Sequence, residues 1–156
     1  MPMAYLVTCQ VCNLESKADN IVDLFENHIG PAGFLKCIHC NSDGAYIFKE
    51  SKLQEKGEIW TRYIKGIIRI RTENDTYNPY ILLTSDTINA PITGFHFNYY
   101  KDTRKQGGVL KHGHGPGGAP VLTKIEIMYF LNRLLDLNIL SNKDFIQLIN
   151  SRKNQA

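Results

Sequence analysis

Cys9-Gln-Val-Cys12 and Cys37-Ile-His-Cys40 hold every cysteine in the chain. Each CxxC turns the backbone tightly enough to aim two sulfurs at one point, and two such turns supply the four soft ligands of a closed tetrahedral metal site. Thiolates suit Zn²⁺ because coordination keeps them deprotonated, and the closed shell leaves no position for substrate. The expected cofactor is one structural Zn²⁺ on Cys9, Cys12, Cys37 and Cys40. Rival uses of these residues are weaker. Two disulfides need an oxidising compartment, and Met1-Pro-Met-Ala-Tyr-Leu-Val-Thr-Cys9 has neither the basic n-region nor the apolar run of a signal peptide. A thioredoxin-type redox pair would suit a strand–CxxC–helix order around Cys9 and Cys12, but it leaves the second pair without a role. An iron–sulfur cluster uses the same ligands. His39, between two ligands, and His28, at a helix end, could each replace a cysteine; both are expected to be ordinary surface histidines.

Residues 13–36 form a spacer of 24 residues, and the pattern within it is helical. Ser16 with Asp19 is a weak capping box, Ile21, Val22, Leu24, Phe25 and Ile29 recur at helical spacing, and Gly30-Pro31 ends the run. Over residues 5–49 at most, the cysteine arrangement resembles zinc ribbons generically, with an inserted helix or a treble-clef-like variation. That class spans transcription, translation, repair and plain scaffolding.

Outward from the cysteines the chain reads as strands. Tyr5 to Thr8 is a short strand into Cys9. Asn41-Ser-Asp-Gly44 is a turn before Ala45-Tyr-Ile-Phe-Lys49. Residues 58–71 are rich in Ile, Trp and Tyr, and Tyr80-Ile-Leu-Leu-Thr84 follows another turn. Phe95, Phe97 and Tyr99 alternate with His96, Asn98 and Tyr100, the period-two signature of a half-buried strand. Thr123 with Glu126 caps a helix through Ile125, Met128, Leu131, Leu134 and Leu135, and Ser141 with Asp144 caps another. Strands clustered before helices predict an α+β fold: an N-terminal four-cysteine, zinc-ribbon-like knuckle with an inserted helix, a mainly antiparallel sheet of four strands or so, and a C-terminal helix pair. The expected organisation is a zinc-knuckle subdomain, residues 1–50, packed on residues 51–156 as one compact unit.

The chain has 156 residues, 43% hydrophobic and 21% charged, so it can close a core and is neither disordered nor fibrous. Residues 125–140 are the most apolar stretch, and Glu126, Arg133 and Asp136 interrupt it, so no membrane span and a cytoplasmic location are expected. A net charge of +3 does not by itself mark a nucleic-acid binder. Its distribution is uneven: residues 13–48 carry −3, 49–71 carry +4, 72–100 carry −3 and 101–112 carry +3. A basic patch forms if the fold joins the stretches around Arg69 and Arg104.

Six of the twelve glycines fall in residues 107–118. Connections near twenty residues without structure are uncommon and often functional. Lys101, Arg104, Lys105 and Lys111 surround glycines whose bare amides can approach an anion, and His112 and His114 could donate a hydrogen bond to a phosphate, act as acid or base, or bind metal. There is no GxxxxGK[ST], HExxH, GxSxG or deaminase motif. Trp60, Tyr63, Tyr99 and Tyr100, interleaved with Arg62, Lys65 and Arg69, could stack on bases, although aromatics at strand spacing are more often core. The leading expectation is a zinc-stabilised binding protein that contacts a phosphate-bearing partner, above all nucleic acid, through Arg69, Arg71, Lys101, Arg104, Lys105 and Lys111. The alternatives are a small hydrolase- or transferase-type enzyme working at the loop with His112 or His114, and a protein-interaction module with purely structural zinc.

Overall fold

The computed structural model describes residues 5–31, 33–43, 45–55, 58–70, 76–87, 89–113 and 120–153, without the side chains of 45–55, 58–62 and 152–153. Seven strands form one sheet: β1 (Tyr5–Cys9), β2 (Glu15–Ala18), β3 (Ala45–Glu55), β4 (Glu58–Arg69), β5 (Tyr77–Ser85), β6 (Gly94–Asp102) and β7 (Leu110–His112). Their spatial order is β2-β1-β3-β4-β5-β6-β7, and every neighbouring pair is antiparallel. Three helices accompany them: α1 (Ile21–Asn27), α2 (Lys124–Asp136) and α3 (Asn142–Lys153). The chain forms two compact units, Met1–Pro120 and Val121–Ala156. β3 runs through position 50, and no described helix is long and apolar enough to cross a membrane.

The sheet has two strands beyond the five read from the sequence, β2 and β7, and both are short with little strand signal of their own. β2 is Glu15-Ser-Lys-Ala18, with no β-branched or aromatic residue, and it pairs with β1 from Tyr5↔Ala18 to Thr8↔Glu15. The Cys9–Cys12 turn is therefore the tip of a β1–β2 hairpin. That pairing also displaces the helix start. Ser16 lies in the sheet opposite Val7, and Asn20 is the N-cap instead, its Oδ1 accepting from the amides of Val22 and Asp23 at 3.0 Å each. A strand thus intervenes between Cys12 and α1, unlike the strand–CxxC–helix order of a redox pair.

Alternation along the strands separates the two faces. The face under α1 carries Tyr5, Val7 and Cys9 from β1, Ile64, Ile67 and Arg69 from β4, Tyr80 and Leu82 from β5, and Tyr100 from β6. Ile21 and Leu24 of α1 are fully buried against this core, and the Phe25 ring meets Tyr80 edge-on at 5.7 Å and Tyr100 at 6.2 Å. Burial pushes the Tyr5 phenol up to about 12 and that of Tyr80 upward as well, so both stay neutral. The opposite face carries Ile81 and Leu83 beside Phe97 and Phe95. On β6 Phe95 and Phe97 are exposed and Tyr100 is buried, because Phe25 of α1 lies against Tyr100.

His28 is not a surface residue. It closes α1 as C-cap and is 2% exposed; its amide donates to the Leu24 carbonyl at 3.0 Å and its carbonyl accepts from Lys36 at 2.8 Å. A small hairpin then returns the chain through an Ile29↔Leu35 bridge toward the second cysteine pair.

In the C-terminal unit Thr123 and Glu126 form the full capping box, whereas Ser141 and Asp144 make only the half in which the carboxylate accepts. Thr123 Oγ1 accepts from the Glu126 amide at 3.2 Å and Glu126 Oε2 from the Thr123 amide at 2.7 Å. Asp144 Oδ2 accepts from the Ser141 amide at 2.7 Å and its hydroxyl at 2.8 Å. Phe130 and Leu134 are the buried residues of α2.

Candidate metal centre and a lysine-bearing sheet face

The four cysteine sulfurs come together, all within 4.8 Å of one another. Cys9 Sγ lies 3.6 Å from Cys40 Sγ, and Cys12 Sγ lies 3.6 Å from Cys37 Sγ. A disulfide would need about 2.05 Å, and all four cysteines are free thiols. A tetrahedron with metal–sulfur bonds of about 2.3 Å sets its sulfurs about 3.8 Å apart. The observed spacing fits an ion at the centre.

Both halves of the cluster are built alike. In the first, the Val11 and Cys12 amides point at Cys9 Sγ, at 3.3 and 3.5 Å. In the second, the His39 and Cys40 amides point at Cys37 Sγ, at the same two distances. Cys9 N–H donates to the Leu14 carbonyl at 3.0 Å and Cys37 N–H to that of Ser42 at 2.8 Å. Amides aimed at sulfur favour the thiolate, the form that binds metal. Ser42 adds a hydroxyl between the halves, 3.1 Å from Cys40 Sγ and 3.5 Å from Cys9 Sγ. Chiefly through Ser42, the Cys9 thiol falls to about 6 and that of Cys40 is also lowered. At Cys12 the Leu14 amide pulls down, but burial and the sulfurs of Cys9, Cys37 and Cys40 outweigh it and carry the thiol up to about 12. Four sulfurs this close resist sharing negative charge, and a divalent cation resolves that conflict. His39 is exposed and His28 lies buried at the end of α1, so the cluster consists of the four cysteines. Ser42, Asn13 and Asn41 are the supporting residues that spacing alone did not identify; the repeated CxxCN in Cys9–Asn13 and Cys37–Asn41 was the available signal.

The basic residues divide between the two sheet faces. Arg69 lies on the α1 side, its guanidinium 5.5 Å from the Phe25 ring centroid and its Nη2 donating to Asn78 Oδ1 at 3.2 Å. Arg104 follows β6 and grips Asp102 with Nε and Nη2, each at 2.9 Å. That contact holds the Asp102 carboxyl below its usual range. Arg69 and Arg104 both act on the Tyr100 phenol: burial raises it, the arginines oppose, and Asp102 and Glu26 reinforce, so its surroundings are of mixed charge. Lys101 and Lys111 lie on the other face, both exposed and directly opposite in the β6–β7 register. Lys105 is exposed in the turn between them, and Arg71 lies outside the described residues.

Much of the presumed long loop is ordered as a hairpin. Arg104–Gln106 form one 3-10 turn, Gly107 closes it at φ 78°, and Thr103 Oγ1 is bonded to both the amide and the carbonyl of Val109. The hairpin places His112 opposite Tyr100, on the α1 face, whereas His114 and residues 115–119 lie outside the described residues. Gly113 donates to the Tyr99 carbonyl at 2.9 Å and lies flat against the Tyr99 ring, where a Cβ would come within 2.2 Å of ring carbon. Tyr99 in turn packs on Tyr77 at 5.1 Å.

No family model, curated protein or solved structure matches the chain.

Proposed function

We propose that the four-cysteine cluster holds one structural Zn²⁺ and that the protein binds nucleic acid through the sheet face carrying Lys101 and Lys111. The centre is zinc-ribbon-like in its two matched knuckles, with α1 inserted between them. Four thiolates with no open position suit a closed zinc site, whose work is to staple the β1–β2 hairpin to the segment that leads into β3. Clustered free thiols also suit a reducing compartment, as in the cytoplasm.

The observation that supports the nucleic-acid reading is the placement of Lys101 opposite Lys111. Like charges directly opposed across strands destabilise a sheet. On this face, β5, β6 and β7 carry no carboxylate to relieve them: their single acidic residue, Asp102, sits on the other face with Arg104. A polyanion would supply the missing countercharge. The test is oligonucleotide binding to the zinc-loaded protein across a salt series. Log affinity should fall linearly with log salt, and Lys101→Ala and Lys111→Ala should each flatten the slope by about 0.7–0.9. Binding that is absent at low ionic strength defeats the reading.

A further inference from the structure

We infer that the bound nucleic acid is single-stranded and that its bases stack on the exposed rings of β6. The inference rests on the nucleic-acid reading above and adds the form of the ligand and the surface that reads it. Phe95 and Phe97 are 37% and 42% exposed, although both are large apolar side chains in a strand paired residue for residue with β5. Being alternate residues, they project from one face about 7 Å apart along the strand. Leu83 and Ile81, their register partners on β5, are fully buried and make a firm floor beside them. Tyr99 continues the row and is fixed between Tyr77 and the Gly113 backbone, and Lys101 ends it with Lys111 alongside.

The face therefore presents a line of rings leading to a pair of cations. Rings offer stacking surface to bases, and lysines answer the phosphates that link them. In a duplex the base faces are already stacked on one another, so a row of rings gains nothing from it; a single strand leaves those faces open. A second copy of this chain is a poorer occupant, because it would bring two more lysines to a face whose charged groups on β5–β7 are both lysines.

The experiment compares a labelled single strand of about 12 nucleotides with the duplex of the same length by fluorescence anisotropy, using the full zinc-loaded chain. The single strand should bind at least about tenfold more tightly. Phe95→Ala with Phe97→Ala should weaken it about tenfold or more while leaving the salt slope unchanged, whereas the lysine substitutions should act on the slope. Phe97→Leu keeps the bulk, removes the ring and guards against a double variant that fails to fold; it should lose affinity too. Equal binding of strand and duplex, with the phenylalanine variants indifferent, overturns this inference and leaves the nucleic-acid reading standing. No binding of either ligand overturns both. Concentration-dependent self-association abolished by Phe97→Leu would assign the face to a second copy and overturn the inference.

Discussion

Asn13 and Asn41 occupy matching positions in the two halves of the cysteine cluster. Each follows the second cysteine of its pair, each has left-handed backbone, φ 58° and 64°, and each donates its amide to the carbonyl of the first cysteine, at 3.1 and 2.9 Å. The left-handed region is where each knuckle reverses toward its strand or turn. Asparagine enters it at little cost, whereas other residues with a Cβ lose about 1–2 kcal/mol. Asn13→Gly and Asn41→Gly should therefore be nearly neutral, and Asn13→Val and Asn41→Val should each cost about that amount. Urea unfolding of the zinc-loaded variants measures this; a valine as well tolerated as glycine would show that the left-handed conformation is not needed.

Metal content follows directly from the sulfur geometry. The purified protein should carry about one Zn²⁺ per chain, since four ligands close one tetrahedron. Cys37→Ser or strong chelation should destabilise the β1–β2 hairpin and the 33–43 segment, because a closed structural site contributes folding free energy directly. Elemental analysis with amide exchange reads both. Unchanged exchange in a metal-free preparation would show the cluster to be dispensable, and visible charge-transfer colour would identify iron.

Local chemistry was legible in the sequence and partnership was not. CxxC is a spacing rule, so the four sulfurs that cluster could be named from residues alone, as could the Thr123–Glu126 cap. β2 has no strand propensity to read; it is a strand because β1 lies beside it. Period-two alternation in β6 showed that its faces differ, but only the position of Phe25 decides that Tyr100 is the buried side. Arg69 and Arg104 illustrate the same limit. Charge counting brought both forward as cations, while the fold supplies Phe25 and Asn78 to one and Asp102 to the other.

Gly113 is held by a contact rather than by its backbone angle. An added Cβ would meet three ring carbons of Tyr99 at 2.2–2.5 Å, and the ring is backed by Tyr77. Gly113→Ala must therefore displace Tyr99, at an overpacking cost of about 1–3 kcal/mol. Tyr99→Ala should make Gly113→Ala cheap, so a double-mutant cycle should show coupling above about 0.5 kcal/mol. Additive effects would mean that the ring moves aside freely.

Acid should weaken the protein through His28. Its ring is 2% exposed and Nδ1 has no hydrogen-bond partner among the described residues. Burial lowers its pKa; Asp23 opposes the shift and His39 adds to it. The unfolded chain takes up a proton near pH 6.5, whereas the folded chain resists until lower pH. Between those two values the unfolded state holds more protons, so stability is level above about pH 6.5 and declines below it, by at most about 1.4 kcal/mol per pH unit from this group. Metal binding by thiolates is itself acid-sensitive, so the informative quantity is the difference between the wild type and His28→Leu, which cannot titrate at that position. That difference should shift in favour of His28→Leu as the pH falls from 7 toward 5.5, with faster amide exchange in α1 of the wild type. A difference that stays constant over the range would mean that the buried imidazole takes up its proton as readily as the unfolded chain does.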